Sequence, residues 1–467
     1  MTSRLLPRRR FTADSTDTFN RRLLAPMMLG SVLNPINSSI ISVSLVPIGA
    51  AFGAPPAQTA WLISALYLAT AIGQPVVGRL IDLYGPRRLF FVGTTLTGIA
   101  GVVGALAPSL GILIVARVLL GFGTCAGYPA AMYLIRSEAR RTGHDSPAGV
   151  LTALAVATQT IAVIGPSLGG LLIGLGGWRT TLAVNIPLAV VGVILGRRIP
   201  RTPVSERGTQ GLDLPGMALF AAMLISLLLF LMSPDITHVY LLGLSVAAGG
   251  GFAVREKHVA TPFIDLRVLT GNIPLVATYA RALLAYVVSY AFLYGYTQWM
   301  EEGRGLSASQ AGLAQLPLFA TAIVISTATG RRKDVRAKLL VGAVGQVVAC
   351  SLLLLLNSTS AIWLLLVVAL VFGIPQGLNS LALQNSVYYQ AEPSRIGSSA
   401  GLLRTFGYLG AIVASAANGA FLSQRADTPG LHHLTWFMLG TAALFLVVTV
   451  TDRTLGRIGR DNNERNA

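Results

Sequence analysis

Stretches of about 20 predominantly apolar residues, the length that crosses the hydrocarbon core of a bilayer, recur from residue 24 to residue 452 with only short polar breaks. A chain of this kind must either bury those stretches in a globule or dissolve them in lipid. Charged residues make up only 11% of the 467, against about 25% in soluble domains, so the polar surface a globule needs is missing. Lipid is the solvent. Because an α-helix satisfies its backbone within one segment, the expectation is an all-α polytopic membrane protein. Apolar windows set against the charged breaks place spans at 24–52, 58–79, 88–107, 110–135, 148–175 and 178–196, then 213–233 and 236–254, then 272–298, 307–330, 337–356, 360–385, 397–424 and 433–452. The expected total is fourteen: six, an inserted pair, and six more.

An even count puts both termini on one side, and Lys and Arg favour cytoplasmic loops. With the amino terminus inside, all but six of the 35 basic residues fall in tails or cytoplasmic breaks. Arg179, Arg304 and Arg425 lie outside, and Arg117, Arg281 and Arg404 lie within spans. The net charge of +17 therefore reads as topology spread over short loops, not as a nucleic-acid-binding patch. The expected organisation is a basic cytoplasmic tail over 1–23, a six-helix bundle over 24–196, a linker with two extra spans over 197–271, a second six-helix bundle over 272–452 and a cytoplasmic tail over 453–467. The apolar stretch after the first tail is too long for a signal peptide and lacks a small-residue cleavage site, which makes it a retained span. Cys125 and Cys350 lie in apolar stretches and support neither a disulfide framework nor a metal site. Two bundles around a midplane site is the usual geometry of alternating-access carriers.

Between the second and third spans stands GRLIDLYGPRR, residues 78–88. Gly78 and Gly85 permit close packing and a tight turn around Asp82, Arg87 and Arg88. This segment resembles the signature loop of the major facilitator superfamily, where the resemblance implies a charge relay that gates the conformational change. In the fourth span, LIVARVLLGFG places Arg117 inside an apolar helix. Intramembrane charges are expensive and default to functional sites, and this one is similar to the superfamily's fourth-span arginine, which implies proton transfer or a cavity position. The other reading is an arginine satisfied by backbone carbonyls. IGPSLGG in the fifth span carries Gly165, Pro166, Gly169 and Gly170 and resembles the superfamily's antiporter motif; helix packing alone is the other reading. GWRTTLAVNIP at 177–187 and PFIDLRVL at 262–269 are similar to features of the fourteen-span drug/proton antiporter family. The resemblance implies a major-facilitator-type fold of two six-helix bundles plus two inserted spans.

One departure stands out. Where that family usually carries a first-span aspartate, this chain has Asn37 within INSSIISVSLVPI, and all 18 Asp and Glu residues fall in tails, loops or span ends. No carboxylate is placed to carry a proton at mid-membrane by the usual route. Asn34, Asn37, Ser38 and Ser42 recur at spacings that put them near one helical face, either lining the cavity or bonding between helices. Tyr279, Tyr286, Tyr290 and Tyr294 also share a face of the ninth span, where aromatic surfaces suit flat or lipophilic ligands. Arg281 lies about 200° around the helix from Tyr279, so only one of the arginine and the tyrosine stripe faces the cavity. Arg281 and Arg404 have no carboxylate partner in the span cores. They either attract an anionic substrate or snorkel to the cytoplasmic interface.

The expected function is export of small organic molecules by alternating access, coupled to a proton gradient. The alternative is an organic-anion facilitator or exchanger of the same fold. No GxxxxGK[ST] phosphate loop and no HExxH pattern occurs in the sequence, which argues against a pump or hydrolase. The five histidines sit in breaks or at span ends, which argues against a haem bundle. No catalytic residue, metal or cofactor is expected. The expected setting is the plasma (inner) membrane, with a small-molecule substrate, the lipid bilayer and no nucleic acid as partners, as a monomer with both termini cytoplasmic.

Overall fold

The computed structural model describes residues 20–142, 148–201, 213–232, 235–259, 262, 271–330, 334–391, 396–422, 425–452 and 455. Twelve helices are long and apolar enough to cross a membrane: α1 Arg21–Val43, α2 Pro56–Gly78, α3 Pro86–Ala105, α4 Leu110–Ile135, α6 Arg179–Gly196, α7 Leu214–Met232, α8 Ile236–His258, α9 Ile273–Gly303, α10 Ala308–Thr329, α11 Val335–Leu353, α12 Ile362–Val387 and α14 Thr428–Thr451. Two further long helices, α5 Ala148–Gly176 and α13 Ile396–Phe421, fill the fifth and thirteenth places. The order is the expected one, with boundaries shifted by a few residues. The amino-terminal tail through residue 19, the linker residues 202–212, most of the 262–269 motif and nearly all of the carboxy-terminal tail lie outside the described residues.

Local chemistry sets the helix ends. Ser109, Asp334 and Asp427 each cap a helix by accepting from a backbone N–H three residues on, and Ser307 with Gln310 closes a reciprocal capping box on α10. Pro56 and Pro86 open α2 and α3, where a missing N–H does no harm. Gly85, at φ +84°, makes the turn between them, a conformation that costs glycine nothing.

The first six spans pack around one another, the last six do likewise, and α7 with α8 forms a hairpin whose α7 leans on α2 and α13. Small residues bring backbones together. Gly30 of α1 and Gly127 at the turn within α4 cross so tightly that a Cβ on Gly30 meets the Gly127 Cα at 2.9 Å, the close approach that small residues allow in lipid. The hairpin is clipped by Asp213, whose carboxylate accepts from the Gly216 N–H at 3.0 Å and the Arg255 guanidinium at 2.7 Å.

The two bundles meet along two seams. In the first, Ser64 of α2 donates to Ser415 of α13 at 2.9 Å, and Ser415 donates to the Ala60 carbonyl at 2.8 Å. In the second, Ser309 of α10 donates to the Gly170 carbonyl of α5 at 2.7 Å, and Ser167 donates to the Gly312 carbonyl at 3.1 Å. All of these contacts lie toward one end of the bundle. At the other end, which carries Arg21, Arg22, Arg87, Arg88, Arg197 and Arg198, Cβ atoms built on Gly78 of α2 and Gly401 of α13 meet nothing within 4 Å. The two seams therefore join the bundles toward the end opposite the basic one.

Two outcomes follow from this architecture. A Ser64→Cys/Ser415→Cys pair oxidises to a disulfide that stops transport and is reversed by reductant, read by gel shift and flux. If the pair forms but transport continues, the seam is static. For Asp213, burial pushes the carboxyl up, but the Gly216 N–H and the Arg255 guanidinium outweigh it and hold the group below the usual carboxylate value. A depressed folded-state value stabilises above the unfolded pKa of about 3.9 and is lost as pH falls through the folded value. Asp213→Asn therefore lowers the melting temperature at pH 7, and its deficit against the parent shrinks below about pH 4.

Candidate functional site

Where the seams end, mid-way along the bundle, tyrosines from both halves close the interface. The Tyr67 hydroxyl of α2 lies 2.9 Å from that of Tyr294 on α9, and Tyr294 donates to the Ser38 carbonyl of α1 at 3.2 Å. Tyr286, Tyr290 and Tyr294 stack along α9 at centroid spacings of 6.0 and 5.9 Å. Tyr67 packs on Tyr290 at 5.2 Å and on Tyr408 of α13 at 5.6 Å. Each such pair adds about 0.5–1.5 kcal/mol beyond burial, so the cluster is a cohesive plug. Tyr279 does not join it; the ring stacks on Phe406 and the hydroxyl donates to the Ser399 carbonyl at 3.0 Å.

Two arginines flank the plug. Arg117 is 1% exposed. Its Nε donates to the Leu62 carbonyl at 2.9 Å and one terminal nitrogen reaches the Asn37 carbonyl at 3.5 Å. The backbone-carbonyl reading therefore accounts for two of its nitrogens, tying α4 to α2 and α1. The other terminal nitrogen is buried without a partner. Arg404 of α13 is half-buried, lies 4.7 Å from the centroid of the Tyr128 ring of α4, and has Tyr408, Tyr286 and Tyr290 within electrostatic reach. It makes no ion pair among the described residues. A cation over an aromatic face in a site shielded from water gains about 2 kcal/mol, which compensates Arg404 without a carboxylate and leaves its charge available.

The remaining candidates sort differently. Arg281 is the clearest correction. Its guanidinium pairs with Asp452, at the end of α14, so it has the carboxylate that the sequence reading denied it, and it points away from the tyrosine stack. Asn37 and Asn185 of α6 form a reciprocal amide pair at 2.7 and 2.8 Å. With Asn37 also donating to the Leu33 carbonyl and Asn185 to the Leu182 carbonyl, the pair is closed. Asn34 donates to Thr124 at 3.1 Å and Thr70 at 3.4 Å. In the first-span polar stripe, Asn34 and Asn37 therefore bond between helices, whereas Ser38 and Ser42 donate back to α1 at Asn34 and to the Ser39 carbonyl. Gly165 and Gly169 lie against Ser39 and Val43 of α1, and Gly170 and Pro166 lie against Ser309 and Gly312 of α10, so the antiporter-like motif packs within its own bundle on one face and along the second seam on the other. In the signature loop, Arg87 sits over the Phe91 ring and Arg88 is exposed. A Cβ on Gly78 meets nothing within 4 Å among the described residues, so the close packing expected of it is not seen there. The Asp82 side chain lies outside the described residues.

Sequence reasoning missed Tyr67, Tyr128, Tyr408 and Asn185. Each stands among other polar residues of its span with nothing along the chain to single it out, and only the crossing of helices reveals its partners.

Fold and site together define a multi-pass carrier whose polar centre lies between two helical bundles. The Major Facilitator Superfamily model matches residues 27–415, and the chain belongs to that superfamily. It is 31% identical over 439 residues, covering 91% of this chain and 96% of the relative, to the uncharacterized MFS-type transporter YwoD of Bacillus subtilis. It is 27% identical over 91% of its length and 90% of the relative's to the cephamycin export protein CmcT of Amycolatopsis lactamdurans. A solved structure of a proton-dependent oligopeptide transporter superposes with a TM-score of 0.66 at 13% identity, covering 95% of this chain and 100% of that one, and so shares the fold.

The closed amide pair predicts a structural role for Asn37. In a double-mutant cycle of Asn37→Ala and Asn185→Ala, thermal unfolding gives a coupling of about 0.6–1.7 kcal/mol, with substrate KM changed less than twofold. A large KM change without coupling would return Asn37 to the cavity.

Proposed function

We propose that this chain exports small organic molecules by alternating access, with the space bounded by α2, α4, α9 and α13 on the basic side of the tyrosine plug as its substrate site. The observation that carries this reading is Arg404: a half-buried cation at the seam between the halves, laid over Tyr128 and lacking an ion pair among the described residues. A site with stacked tyrosines and an available guanidinium favours planar, electron-rich or anionic solutes, which gain both stacking and charge. The basic end is cytoplasmic by the positive-inside rule, in the plasma membrane, with both termini inside and the monomer as the working unit. The seam seals the outer end, so substrate enters from the cytoplasm. The export protein among the relatives supports that direction. Asp82, Arg87 and Arg88 act as the gate, and Gly165, Pro166, Gly169 and Gly170 as the seam on which the halves rock.

Coupling to the proton gradient is the leading drive. The alternative, an organic-anion facilitator or exchanger, is favoured by one observation: Asn37 is closed on Asn185 where a titratable group would sit.

Transport in proteoliposomes, with and without an imposed pH gradient, tests both readings. Arg404→Gln lowers kcat/KM for anionic aromatic solutes by about 10-fold, equivalent to about 1.4 kcal/mol, and Tyr290→Ala lowers it for aromatic solutes of any charge. Unchanged transport of every solute in Arg404→Gln removes the site. Collapse of flux with an uncoupler supports the antiporter, and gradient-independent exchange supports the facilitator.

A further inference from the structure

A cavity lies at the sealed end, one to two turns of α9 beyond Tyr294 of the tyrosine plug. It holds about 500 Å³ between the α1–α2 connection, helical over Leu45–Phe52, and the last turns of α9, so both halves of the molecule build it. One wall is apolar: Leu45, Val46, Ala50 and Pro55. The other carries Gln298 and Glu302. That volume is within the range of about 300–1,000 Å³ typical of small-molecule sites, and polar and apolar groups share the lining about equally.

The polar wall is unsatisfied. Gln298 is 1% exposed and its side-chain oxygen has no hydrogen-bond partner, a state that costs about 1–3 kcal/mol unless a ligand relieves it. Glu302 spends one carboxylate oxygen on the Ala426 N–H at 2.8 Å. Nearby cations do not neutralise it: Arg425 donates to the Glu302 main-chain carbonyl and Arg304 to the Ser358 carbonyl. The neighbouring Glu301 is 7% exposed, with one carboxylate oxygen unpartnered among the described residues. Local backbone explains the convergence. Residues Trp299–Gly303 form a π-helical turn, and such turns cluster at functional sites.

We propose that this cavity is a second ligand site, on the side opposite the central one, that takes a protonated amine with an apolar body. The ammonium donates to the Glu302 carboxylate and the Gln298 amide oxygen, and the apolar body lies on Leu45, Val46, Ala50 and Pro55. The Glu302 carboxylate favours cationic N–H donors and repels anions, the reverse of the preference argued for Arg404. The proposal does not depend on that reading, because no residue is shared.

The test is a fluorescence titration of the full-length chain in nanodiscs with monodansylcadaverine, a primary ammonium on an aromatic body, against dansylglycine, its anionic counterpart. Saturable binding of the amine is expected, weakened at least 10-fold by Glu302→Gln and by Ala50→Trp. The latter fills the cavity from an exposed position and so does not depend on how Glu302→Gln folds. Arg404→Gln leaves the titration within twofold. Absence of saturable binding, indifference to both cavity variants, loss of binding in Arg404→Gln, or equal and equally sensitive binding of dansylglycine each overturns the proposal.

Discussion

The hydroxyl chain from Tyr67 through Tyr294 to the Ser38 carbonyl is the interaction on which the rest of the structure depends. It joins the two halves where lipid offers no alternative partner for a buried hydroxyl. In a bilayer interior, helices gain little from apolar contact alone, and polar bonds with close backbone packing decide which faces meet. Here the serine bridge between α2 and α13 and the glycine contact between α5 and α10 continue the closure to one end. These bonds are few and neutral, each worth about 1 kcal/mol or less, so they can break and reform within a transport cycle. A seam of buried salt bridges would hold one state too firmly, because separating such a pair costs about 3–5 kcal/mol.

The intramembrane arginines illustrate three ways to keep a charge in lipid. Arg281 takes a carboxylate, Arg117 takes main-chain carbonyls and Arg404 takes a tyrosine face. Only the last two adjoin the plug, and of the three only Arg404 makes no hydrogen bond among the described residues. Charge inside the molecule is therefore divided between structure and recognition by geometry, although the three residues look alike along the chain.

That division explains what was legible in advance. Apolar length is a one-dimensional property, and among the described residues it located fourteen long helices, most to within a few residues, although the first span ends at Val43 and a separate helix covers Leu45–Phe52. The glycines of the fifth span were legible as packing residues, because a missing Cβ has one main use between helices. Partner choice was not legible. Asn37 and Asn34 sit three residues apart on one helix, yet one meets α6 and the other meets α2 and α4. Arg281 is 171 positions from the Asp452 that satisfies it. Tyr67 and Tyr408 carry no motif at all, and their importance arises only where α2 and α13 cross.

The central claim is that the two halves, joined by the seams at one end, exchange that arrangement during transport for one closed at the basic end. Spin labels at Gly78→Cys and Gly401→Cys report it most directly, because both positions face open space and lie on the two helices whose other ends are joined by Ser64 and Ser415. Pulsed electron resonance on the chain in nanodiscs should give a long separation that shortens in a second population when substrate or a pH gradient is supplied. A single separation, unchanged under every condition that supports transport, would contradict the account.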